Sequence, residues 1–403
     1  MNKRIAIIGG GASGLLCAIF CTRNGWHVDL FEQNDKCGKK ILVSGNGRCN
    51  ISNKNLILDK YLGTNPHFVA HALKTFDFTK FESFAASLGL LLDINEDGRA
   101  YPLSQEAKSV VGLFLAHAKE LGVHIHTNQK ITNPKELLVE YDALVIATGS
   151  EAASHLGGCD DGYKFAEGFG HSIIPTFPSL VQLHLISPIL NKISGAKTEG
   201  EVTLFRNRQK DITTHGDILF TSYGISGFAI LDISHHASFA LSQFEEVEIS
   251  LNLLPQFTPQ ALSTHISNLA KQRENFTLLE MLQGLLPSKI AIGLLEDSAL
   301  DANIELKNID TKIIKKIVHK LQNWRLSVSD THGFRHAEVS GGGVSTDEIN
   351  PKTFESKLQK NLYFCGEVLD VTGARGGYNF AFAWASAFVA AEAINTLLKT
   401  LSK

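Results

Sequence analysis

The sequence is poor in cysteine and carries almost no net charge. Its six cysteines stand singly among 403 residues, with no paired spacing of the kind that binds metal. We therefore expect no disulfide framework and no metal site, and we expect the protein to be cytoplasmic. A formal net charge of −3 gives no overall field that would draw the chain to nucleic acid or to a membrane.

Uninterrupted hydrophobic runs of the membrane-spanning kind are also lacking. Lys3 and Arg4 precede an apolar run, as in a signal peptide, but glycines interrupt that run. Residues 378–398 are apolar enough to suggest a membrane span, yet Asn379 and Glu392 interrupt them and no basic anchor precedes them. We interpret both segments as buried elements and predict no membrane partner.

The pattern near the start of the chain is typical of a nucleotide-binding βαβ unit. Residues 5–8 are apolar and rich in β-branched side chains, which predicts a buried parallel strand, and residues 15–22 predict a helix. Between them stand Gly9, Gly11 and Gly14 at the GxGxxG spacing. The first glycine permits a tight turn, the second lets a pyrophosphate approach the backbone, and the third lets the helix pack against the strand.

A second predicted strand, residues 27–31, ends at an acidic residue. The carboxylate of Glu32 can accept hydrogen bonds from a ribose diol, and a Glu rather than an Arg there disfavours a 2′-phosphate. The N-terminus of the preceding helix offers unpaired N–H groups to the pyrophosphate. The complete strand–turn–helix–strand–acid unit therefore predicts an adenine dinucleotide.

A loop rich in Gly, Ser and Asn follows at residues 36–53, KCGKKILVSGNGRCNISN. Its backbone N–H groups, with Lys39, Lys40 and Arg48, could surround phosphates or a ring system, although the composition alone also fits a solvated turn. The string GKKxxxSGNGRCNxSN closely resembles the signature of the HI0933-like flavoproteins, a family of FAD-dependent proteins. This resemblance extends over essentially the whole chain and implies FAD as the cofactor.

The segment that follows the loop predicts more of the same domain. Residues 66–122 favour two helices around an extended piece, and residues 123–127 and 141–147 favour further strands of the nucleotide-binding sheet. The second of these strands leads into Ala-Thr-Gly at residues 147–149. This tripeptide resembles the ATG element of flavoprotein Rossmann domains, where the strand end crosses near the dinucleotide.

The pattern changes at about residue 186. Alternating polar and apolar residues, with turn residues between them, predict antiparallel strands of a small barrel or sandwich. The string LFTSYGISGFAIL resembles the family element FTHxGxSGPAIL, but Ser222 stands where the family has His and Phe228 where it has Pro. A role of that His in the family therefore cannot transfer to this chain. Prolines then punctuate a predicted helical stretch, about residues 258–325.

The last helix of that stretch, predicted over residues 311–325, is basic. Its positive side chains, with no acid among them, are Lys312, Lys315, Lys316, Lys320 and Arg325. Its predicted apolar face consists of Ile313, Ile314, Ile317, Leu321 and Trp324. A solvated helix face explains the charges. A patch that holds a phosphate backbone, as a large RNA substrate would need, also explains them.

The C-terminal part resembles the family's closing FAD segment. HAEVSGGGVS, residues 336–345, is similar to the re-entry into the FAD domain, and LYFCGE is similar to the closing strand. Glu367 replaces the aspartate that holds ribityl hydroxyls in this superfamily, and both residues can accept such bonds. GARGGYN begins the last helix, and the amides of Gly377, Tyr378 and Asn379 are expected beside the flavin pyrimidine edge, where they would stabilise the negative charge of reduction.

We predict an α/β fold: a Rossmann-type, glutathione-reductase-like FAD-binding domain with an inserted antiparallel β domain and a small helical domain. The FAD domain is predicted to be discontinuous, residues 1–185 plus 335–403. The β insert comprises residues 186–255 plus about 326–334, and the helical domain comprises residues 256–325. A small-molecule or RNA substrate is expected between the FAD and the insert, because pockets favour such interfaces.

The family resemblance implies flavin chemistry, and members have been linked to reduction of activated C=C bonds in steroid-like enones and in uracil of ribosomal RNA. We predict an FAD-dependent reductase that passes hydride from flavin N5 to such a bond. Because the sequence has no second GxGxxG unit, NAD(P)H is expected as a transient donor without a domain of its own. The alternatives are a ribosomal RNA dihydrouridine synthase, a flavin-dependent amine or aminoketone oxidase, and a non-catalytic flavin-binding protein.

Four residues are candidates for the chemistry itself: Arg48, Cys49, Asn50 and Tyr223, the last as a proton donor from the insert. Cys49 is more easily explained as packing than as a nucleophile, because no His accompanies it in sequence. The predicted cofactor contacts are Gly9, Gly11, Ala12, Ser13, Gly14, Glu32, Gln33, Lys39, Lys40, Ser44, Gly45, Asn46, Gly47, Arg48, Cys49, Asn50, Ala147, Thr148, Gly149, Gly366, Glu367, Gly376, Gly377, Tyr378, Asn379 and Phe380.

Overall fold

The structure, a computed structural model, describes residues 3–401. The chain divides into two compact units. The first unit is built from Met1–Phe177 and Glu338–Lys403, and the second unit is Pro178–Ala337. The corresponding boundaries predicted from the sequence lie at residues 185/186 and 334/335.

The described residues form short strands and helices throughout. The strands are β1 (Arg4–Ile8), β2 (His27–Phe31), β3 (Ser52–Asn53), β4 (Tyr61–Leu62), β5 (Leu92–Ile94), β6 (Arg99–Pro102), β7 (His124–His126), β8 (Ala143–Ile146), β9 (Ile173–Ser179), β10 (Leu183–Ile186), β11 (Lys197–Arg206), β12 (Gln209–Phe220), β13 (Gly224–Ser226), β14 (Val247–Asn252), β15 (Trp324–Thr331), β16 (Val339–Val344), β17 (Leu362–Phe364) and β18 (Thr372–Gly373). The helices are α1 (Ala12–Thr22), α2 (Lys39–Val43), α3 (Ala70–Thr75), α4 (Phe78–Ser87), α5 (Ala107–Glu120), α6 (Pro134–Glu140), α7 (Asp161–Gly168), α8 (Leu190–Ile193), α9 (Phe228–Ser242), α10 (Pro259–Gln272), α11 (Leu278–Gln283), α12 (Ser288–Asp297), α13 (Thr311–Gln322) and α14 (Tyr378–Leu401).

A five-stranded parallel sheet, in the order β17-β8-β1-β2-β7, forms the centre of the first unit. Strand β1 lies in the middle because its side chains are apolar on both faces, and Ile5, Ala6 and Ile7 have no exposed surface. Ile5 pairs with Val28 of β2 and with Ala143 of β8. The predicted Rossmann-type α/β fold is confirmed, and the carboxyl ends of β1, β2 and β8 meet at one edge of the sheet.

Helix α14 belongs to the hydrophobic core of the first unit. By length and composition alone it could cross a membrane, but 67% of its most apolar window is buried within the protein. Trp384 is fully buried and donates its indole N–H to the carbonyl oxygen of Ile51 at 2.8 Å. Helix α14 contacts α1, in which Cys17 and Cys21 have no exposed surface.

Two local predictions in the first unit are wrong. The loop predicted at residues 36–53 contains α2, because Gly38 takes a left-handed φ of 73° before it and Ile41 is buried on its inner side. The first predicted helix of residues 66–122 is two helices, α3 and α4. Asp77 separates them, because its carboxylate accepts a hydrogen bond from the Lys80 amide (2.9 Å) and starts α4 as an N-cap.

The predicted β insert is a closed barrel in the second unit, with the strand order β10-β13-β12-β11-β14-β15 and antiparallel pairing. The predicted strand pattern extends to the string LFTSYGISGFAIL, which ends at Leu231, and it is wrong at that end because α9 begins at Phe228. Its buried residues, among them Ala229, Ile233 and Ala237, recur at the spacing of one helix face, and this periodicity was the available signal.

The helices α10 to α13 share one hydrophobic core with the barrel. Ile266 of α10, Leu294 of α12 and Leu321 of α13 belong to the same cluster of buried residues as Ile249 of β14. From the sequence, this helical stretch is predicted to be a small domain of its own. The last predicted helix also extends too far, because α13 ends at Gln322 and both Trp324 and Arg325 lie in β15.

Candidate functional site

The glycine turn after β1 is packed at two glycines and open at the third. Gly9 has a φ of 109°, and a Cβ there would lie 2.4 Å from the carbonyl oxygen of Ala147. A Cβ on Gly14 would lie 1.8 Å from the Gly9 oxygen, so α1 and the turn touch backbone to backbone. A Cβ on Gly11 would meet no atom within 4 Å. This space is where the GxGxxG pattern places a pyrophosphate, and the residues around it fit that group.

Helix α1 begins without a side-chain cap. Gly11 is its N-cap residue, and the first turn contains no acidic side chain. The first helical bond runs from the Leu15 amide to the Gly11 oxygen at 3.0 Å, so the amides of Ala12, Ser13 and Gly14 precede it. Amides in this position, together with the positive end of the helix dipole, bind phosphate groups well.

Glu32, at the end of β2, is buried with a relative exposure of 7%. Its carboxylate accepts hydrogen bonds from the Gly10 amide (2.9 Å) and from the backbone and side-chain amides of Asn34 (2.7 Å each). A carboxylate has about four acceptor positions, so capacity remains for a ribose hydroxyl. The neighbouring Gln33 donates to the Gly157 oxygen at 2.9 Å. Sequence reasoning missed Asn34, which holds Glu32 in place.

Glu367 joins three segments that are far apart in the chain. It accepts hydrogen bonds from Lys40 Nζ (2.7 Å), Ser150 Oγ (2.6 Å) and the Ser340 amide (3.1 Å). Sequence reasoning missed both serines, although Ser150 directly follows the Ala-Thr-Gly element and Ser340 lies in the predicted re-entry segment. The ribityl contact predicted for Glu367 stays a prediction.

Three positive side chains of residues 36–53, those of Lys39, Lys40 and Arg48, have partners within the protein. Lys39 pairs with Asp35 at 2.9 Å, and Lys40 pairs with Glu367. The guanidinium of Arg48 lies over the ring of Tyr101, 5.2 Å from its centroid, and is exposed. The phosphate contacts predicted for these three residues therefore compete with existing interactions, and they stay predictions.

The backbone after α2 turns sharply. Gly45 and Asn46 have left-handed φ values of 56° and 57°, and Ser44 donates its hydroxyl to the Ile41 oxygen at 2.8 Å. Cys49 also has a positive φ, 62°, and no exposed surface. Burial raises the pKa of its thiol to about 11, although a hydrogen bond with Ser44 opposes the shift. Because the thiolate is the nucleophilic form, this favours the packing interpretation of Cys49.

Residues 50–53 brace the start of α14. Gly377 has a φ of 98°, and a Cβ there would lie 2.2 Å from the carbonyl oxygen of Ser52. With its amide oriented to donate to that same oxygen (3.0 Å), Asn50 accepts a hydrogen bond from the Gly377 amide at 3.2 Å. Asn53 donates to the oxygen of Gly376, 323 residues away, at 2.9 Å. The fold thus brings the SGNGRCNxSN motif and the GARGGYN motif into contact.

The side chains that open α14 bind other parts of the first unit. The Tyr378 hydroxyl donates to the Asn55 oxygen at 2.8 Å. The Asn379 side chain bonds both the amide and the oxygen of Gly373 at 2.7 Å. The Phe380 ring stacks on Trp384 with a centroid distance of 5.6 Å. Flavin contacts predicted at these positions therefore depend on backbone amides.

The residues that follow strands β17 and β8 lie close to the glycine turn after β1. Gly366 follows β17, and a Cβ on it would lie 2.5 Å from Ser13 Oγ, which brings the closing strand to the start of α1. Thr148 follows β8, and its hydroxyl is buried with no hydrogen-bond partner among the described residues. A Cβ on Gly162 would lie 2.0 Å from that hydroxyl, whereas Gly149 has open space around it.

Tyr223 lies in the second unit, in a stack of aromatic side chains. Its ring is parallel to that of His332, 4.2 Å away, and the ring of His336 lies 4.1 Å from His332 on centroids. His184 Nε2 lies 2.8 Å from His332 Nδ1. Burial and the two neighbouring histidines lower the pKa of His332 below its ordinary value. Sequence reasoning missed these histidines because remote segments supply them. The other three predicted catalytic residues, Arg48, Cys49 and Asn50, belong to the first unit.

Comparison with known proteins gives matches along nearly the whole chain. The family model for the HI0933-like protein Rossmann domain matches residues 3–393. A 3-dehydro-bile acid delta(4,6)-reductase of Clostridium scindens is 34% identical over 97% of this chain and 98% of its own length. Ribosomal RNA dihydrouridine synthases of Haemophilus influenzae and Escherichia coli are 33% and 31% identical, each over 96% of this chain and over 98% and 96% of their own lengths.

Solved structures also resemble this chain. One is the open conformation of a flavocytochrome c3 fumarate reductase, with a TM-score of 0.43 and 14% identity over 98% of this chain and 78% of that chain. Another is the 3-ketosteroid-delta4-(5alpha)-dehydrogenase of Rhodococcus jostii, with a TM-score of 0.43 and 11% identity over 96% of this chain and 97% of that chain.

Proposed function

This chain belongs to the HI0933-like family of FAD-dependent oxidoreductases, and on that premise we propose that it reduces an activated C=C bond with electrons from NAD(P)H. In the overall reaction the two carbons gain one hydride and one proton, and NAD(P)⁺ is released. The observation that supports the proposal best is the set of relatives. The three relatives, 31 to 34% identical over nearly the full chain, carry names that imply the same bond change.

The names of these relatives describe chemically similar reactions. A delta(4,6)-reductase of a 3-dehydro steroid saturates a C=C bond conjugated to a ketone, and dihydrouridine differs from uridine by saturation of a C=C bond conjugated to a ring carbonyl. In both cases the carbonyl makes one carbon electron-poor, so that it accepts hydride, while the adjacent carbon accepts a proton. The proposed reaction is therefore hydride addition to an enone or to an enone-like ring.

The first unit supplies the groups that would hold the cofactor. FAD, when bound, supplies hydride at its N5 atom. The open space beside Gly11 and the bare amides of α1 suit its pyrophosphate, and the carboxylate of Glu32 suits its ribose. The amides of Tyr378 and Asn379 at the start of α14 would stabilise negative charge at the pyrimidine edge, whereas the Gly377 amide donates to Asn50.

The proton requires a separate donor, and we assign it to Tyr223 or to a water that it orients. Its phenol carries an O–H group that can donate a proton, and the parallel stack on His332 fixes the plane of this ring. Cys49 is buried, and the guanidinium of Arg48 lies over the ring of Tyr101, so neither residue is suited to this step.

The proposed reduction can be tested by anaerobic rapid mixing of the purified holoprotein. We expect NADH or NADPH to bleach the flavin absorbance, and a 3-oxo-4,6-diene steroid to restore it with formation of the reduced steroid. The saturated 3-oxo steroid, which has no bond to reduce, is the matched control. If neither NADH nor NADPH bleaches the flavin absorbance, the result would favour a non-catalytic flavin-binding protein. Recovery by oxygen alone, with an amine as the better reductant, would favour an oxidase.

A second candidate function, dihydrouridine formation in ribosomal RNA, is supported by the surface of α13. Lys312, Lys315 and Lys316 are exposed on this helix. The patch is smaller than predicted, because Lys320 pairs with Asp297 and Arg325 pairs with Glu248. Exposed lysines spaced along a helix can follow a phosphate backbone.

The RNA hypothesis predicts a strong dependence on salt and on these three charges. Replacement of Lys312, Lys315 and Lys316 by Glu should weaken binding of a ribosomal RNA fragment and reduce the salt slope by roughly 1 for each lost phosphate contact. The matched control replaces three exposed lysines of the first unit, Lys74, Lys108 and Lys119, by Glu. Equal RNA affinity in the two triple variants would exclude α13 as a phosphate contact.

A further inference from the structure

A buried carboxylate lies among imidazole rings on the sheet of the first unit. Asp29 of β2 is 5% exposed. Its oxygens lie 2.9 Å from His27 Nε2, 2.7 Å from His126 Nε2 and 3.8 Å from His124 Nδ1. The rings of His27 and His124 meet edge to face with a centroid distance of 4.5 Å. None of these residues belongs to the proposed flavin contacts.

The register of two parallel strands creates this cluster. His27 and Asp29 are two residues apart on β2, so their side chains project from the same face of the sheet. In the pairing of β2 with β7, Asp29 lies opposite His124 and Phe31 lies opposite His126. Strand β7 is the edge strand of the sheet, which leaves the side chain of His124 56% exposed. The cluster is therefore open to solvent on one side.

We propose that His27, Asp29 and His124 form a binding site for a divalent transition-metal ion of the zinc type. One candidate ligand atom from each of the three residues lies within 4.8 Å of the other two. Ligand atoms around a tetrahedral zinc ion are about 3.3 Å apart, given metal–ligand bonds of about 2.0 Å. The exposed ring of His124 is the part that moves inward to complete the site. Two imidazoles and one carboxylate are a known zinc ligand set, and a fourth position remains for water.

The residues around Asp29 hold the carboxylate in place. Tyr141 donates its hydroxyl to Asp29 at 2.9 Å, and His126 contacts the other oxygen. Such outer partners orient metal ligands in known sites. Arg4, 3.6 Å from Asp29 with its guanidinium over the Tyr141 ring, already supplies one positive charge to the carboxylate. The site is therefore expected to favour an ion that imidazole binds well, such as Zn²⁺, over Mg²⁺ or Ca²⁺, which prefer oxygen ligands.

Metal binding at this place would connect the edge strand to the rest of the sheet. Strand β7 is only three residues long, and a shared ion would link its His124 to β2. The expected consequence is greater thermal stability of the first unit, with no step added to the redox reaction. No metal site is predicted from the sequence, and this one is not visible in local patterns because its ligands come from two strands almost one hundred residues apart and include no cysteine.

The test is a zinc titration of the chelator-treated holoprotein at pH 7.5, followed by calorimetry and by native mass spectrometry. We expect one zinc ion bound at the cluster and a higher melting temperature with zinc than without it. His124→Ala should weaken zinc binding by roughly tenfold or more, and so should Asp29→Asn. The matched control is His67→Ala, which removes an exposed histidine of the same unit.

One further measurement and two further variants make the zinc titration interpretable. Retention of FAD absorbance shows that each variant is folded, and His124→Gln provides a second exposed substitution if His124→Ala is unstable. His332→Ala tests the histidines of the second unit as an alternative site. Unchanged zinc affinity in His124→Ala and Asp29→Asn, or loss of zinc in His332→Ala instead, would overturn the proposal. A wild-type protein that binds no zinc would also overturn it.

Discussion

Two helices of the first unit begin at glycines, α1 after Gly11 and α14 after Gly377, and the two starts are built differently. The start of α1 is bare, with no side-chain cap and with open space beside Gly11. The start of α14 is braced, because Gly377 touches the Ser52 backbone and the side chains of Asn50 and Asn53 bond to its glycines. Both ends carry the positive pole of a helix dipole.

Because of this difference, ligand binding and structural support are separate at the start of α1 but depend on the same residues at the start of α14. At α1 the residues that matter for a phosphate lie within one short turn, so a substitution can obstruct the ligand and leave the fold unchanged. At α14 the same residues that approach the predicted flavin edge also hold a segment more than three hundred residues away. A substitution there is therefore expected to change stability and FAD affinity together.

The largest effect is expected where α1 touches its own turn. Gly14→Ala would place a Cβ 1.8 Å from the Gly9 oxygen, so α1 must move away from β1. Such overpacking costs about 3 kcal/mol, and we expect the melting temperature of the FAD-free protein to fall by roughly 10 °C. The control is Gly112→Ala in α5, where a Cβ meets no atom within 4 Å. Equal melting temperatures of the two variants would disprove the backbone contact.

The next effect tests the braced start. Gly377→Ala puts a Cβ 2.2 Å from the Ser52 oxygen at a φ of 98°, which only glycine adopts without strain. We expect a loss of about 2 to 3 kcal/mol in stability and weaker FAD binding in the same variant. Thermal melting of the FAD-free protein and fluorescence titration with FAD measure the two quantities. Weaker FAD binding without any loss of stability would mean that the start of α14 behaves like the start of α1, and it would contradict the difference proposed between them.

Gly11→Ala tests the bare start. The added methyl group has space in the protein, so the melting temperature of the FAD-free form should match that of Gly112→Ala. The methyl group would occupy the space of the pyrophosphate, and we expect the Kd for FAD to rise by roughly tenfold, equivalent to about 1.4 kcal/mol. A Kd equal to that of the wild type would place the phosphates elsewhere.

Asn53→Ala removes one bond of the brace. Asn53 is 3% exposed, and its side chain donates to Gly376 and accepts from the Asn55 amide at 2.8 Å. Loss of these bonds should cost about 1 kcal/mol, because the Gly376 oxygen would lose a buried partner. Chemical denaturation of the FAD-free protein measures the loss. An unchanged midpoint would mean that Asn50 and Ser52 brace α14 without Asn53.

The smallest effect concerns Cys49, next to the bracing segment. Because its thiol has a pKa of about 11, the reactive thiolate becomes abundant only as the pH rises toward that value. We expect slow alkylation by iodoacetamide from pH 7 to pH 9, whereas a free cysteine with a pKa of about 8.5 reacts increasingly over that range. Peptide mass spectrometry measures the rate. Alkylation as fast as that of free cysteine at pH 8 would mean that residues 49–53 open readily.

Patterns within about thirty residues predicted the parts of the molecule that depend on neighbours in sequence. Strand β1, helix α1, strand β2 and the position of Glu32 follow from apolar runs, glycine spacing and one acid. The same reasoning failed where a residue's state depends on remote partners. Asp77 breaks a predicted helix, the segment after Phe228 is helical, and Trp324 lies in a strand whose neighbours in the barrel are β10 and β14.

Apolar periodicity and glycine spacing were sufficient to identify a dinucleotide-binding βαβ unit, because those features act through the nearest turns and strands. Long-range packing alone assembled the remaining sites: Glu367 with Lys40, Ser150 and Ser340; Asn53 with Gly376; and Asp29 with the histidines of two strands. No local sequence pattern predicts such groups, because strand register and sheet order decide which side chains meet. The physical reason is that backbone pairing between distant segments is set by the whole core rather than by any one stretch of chain.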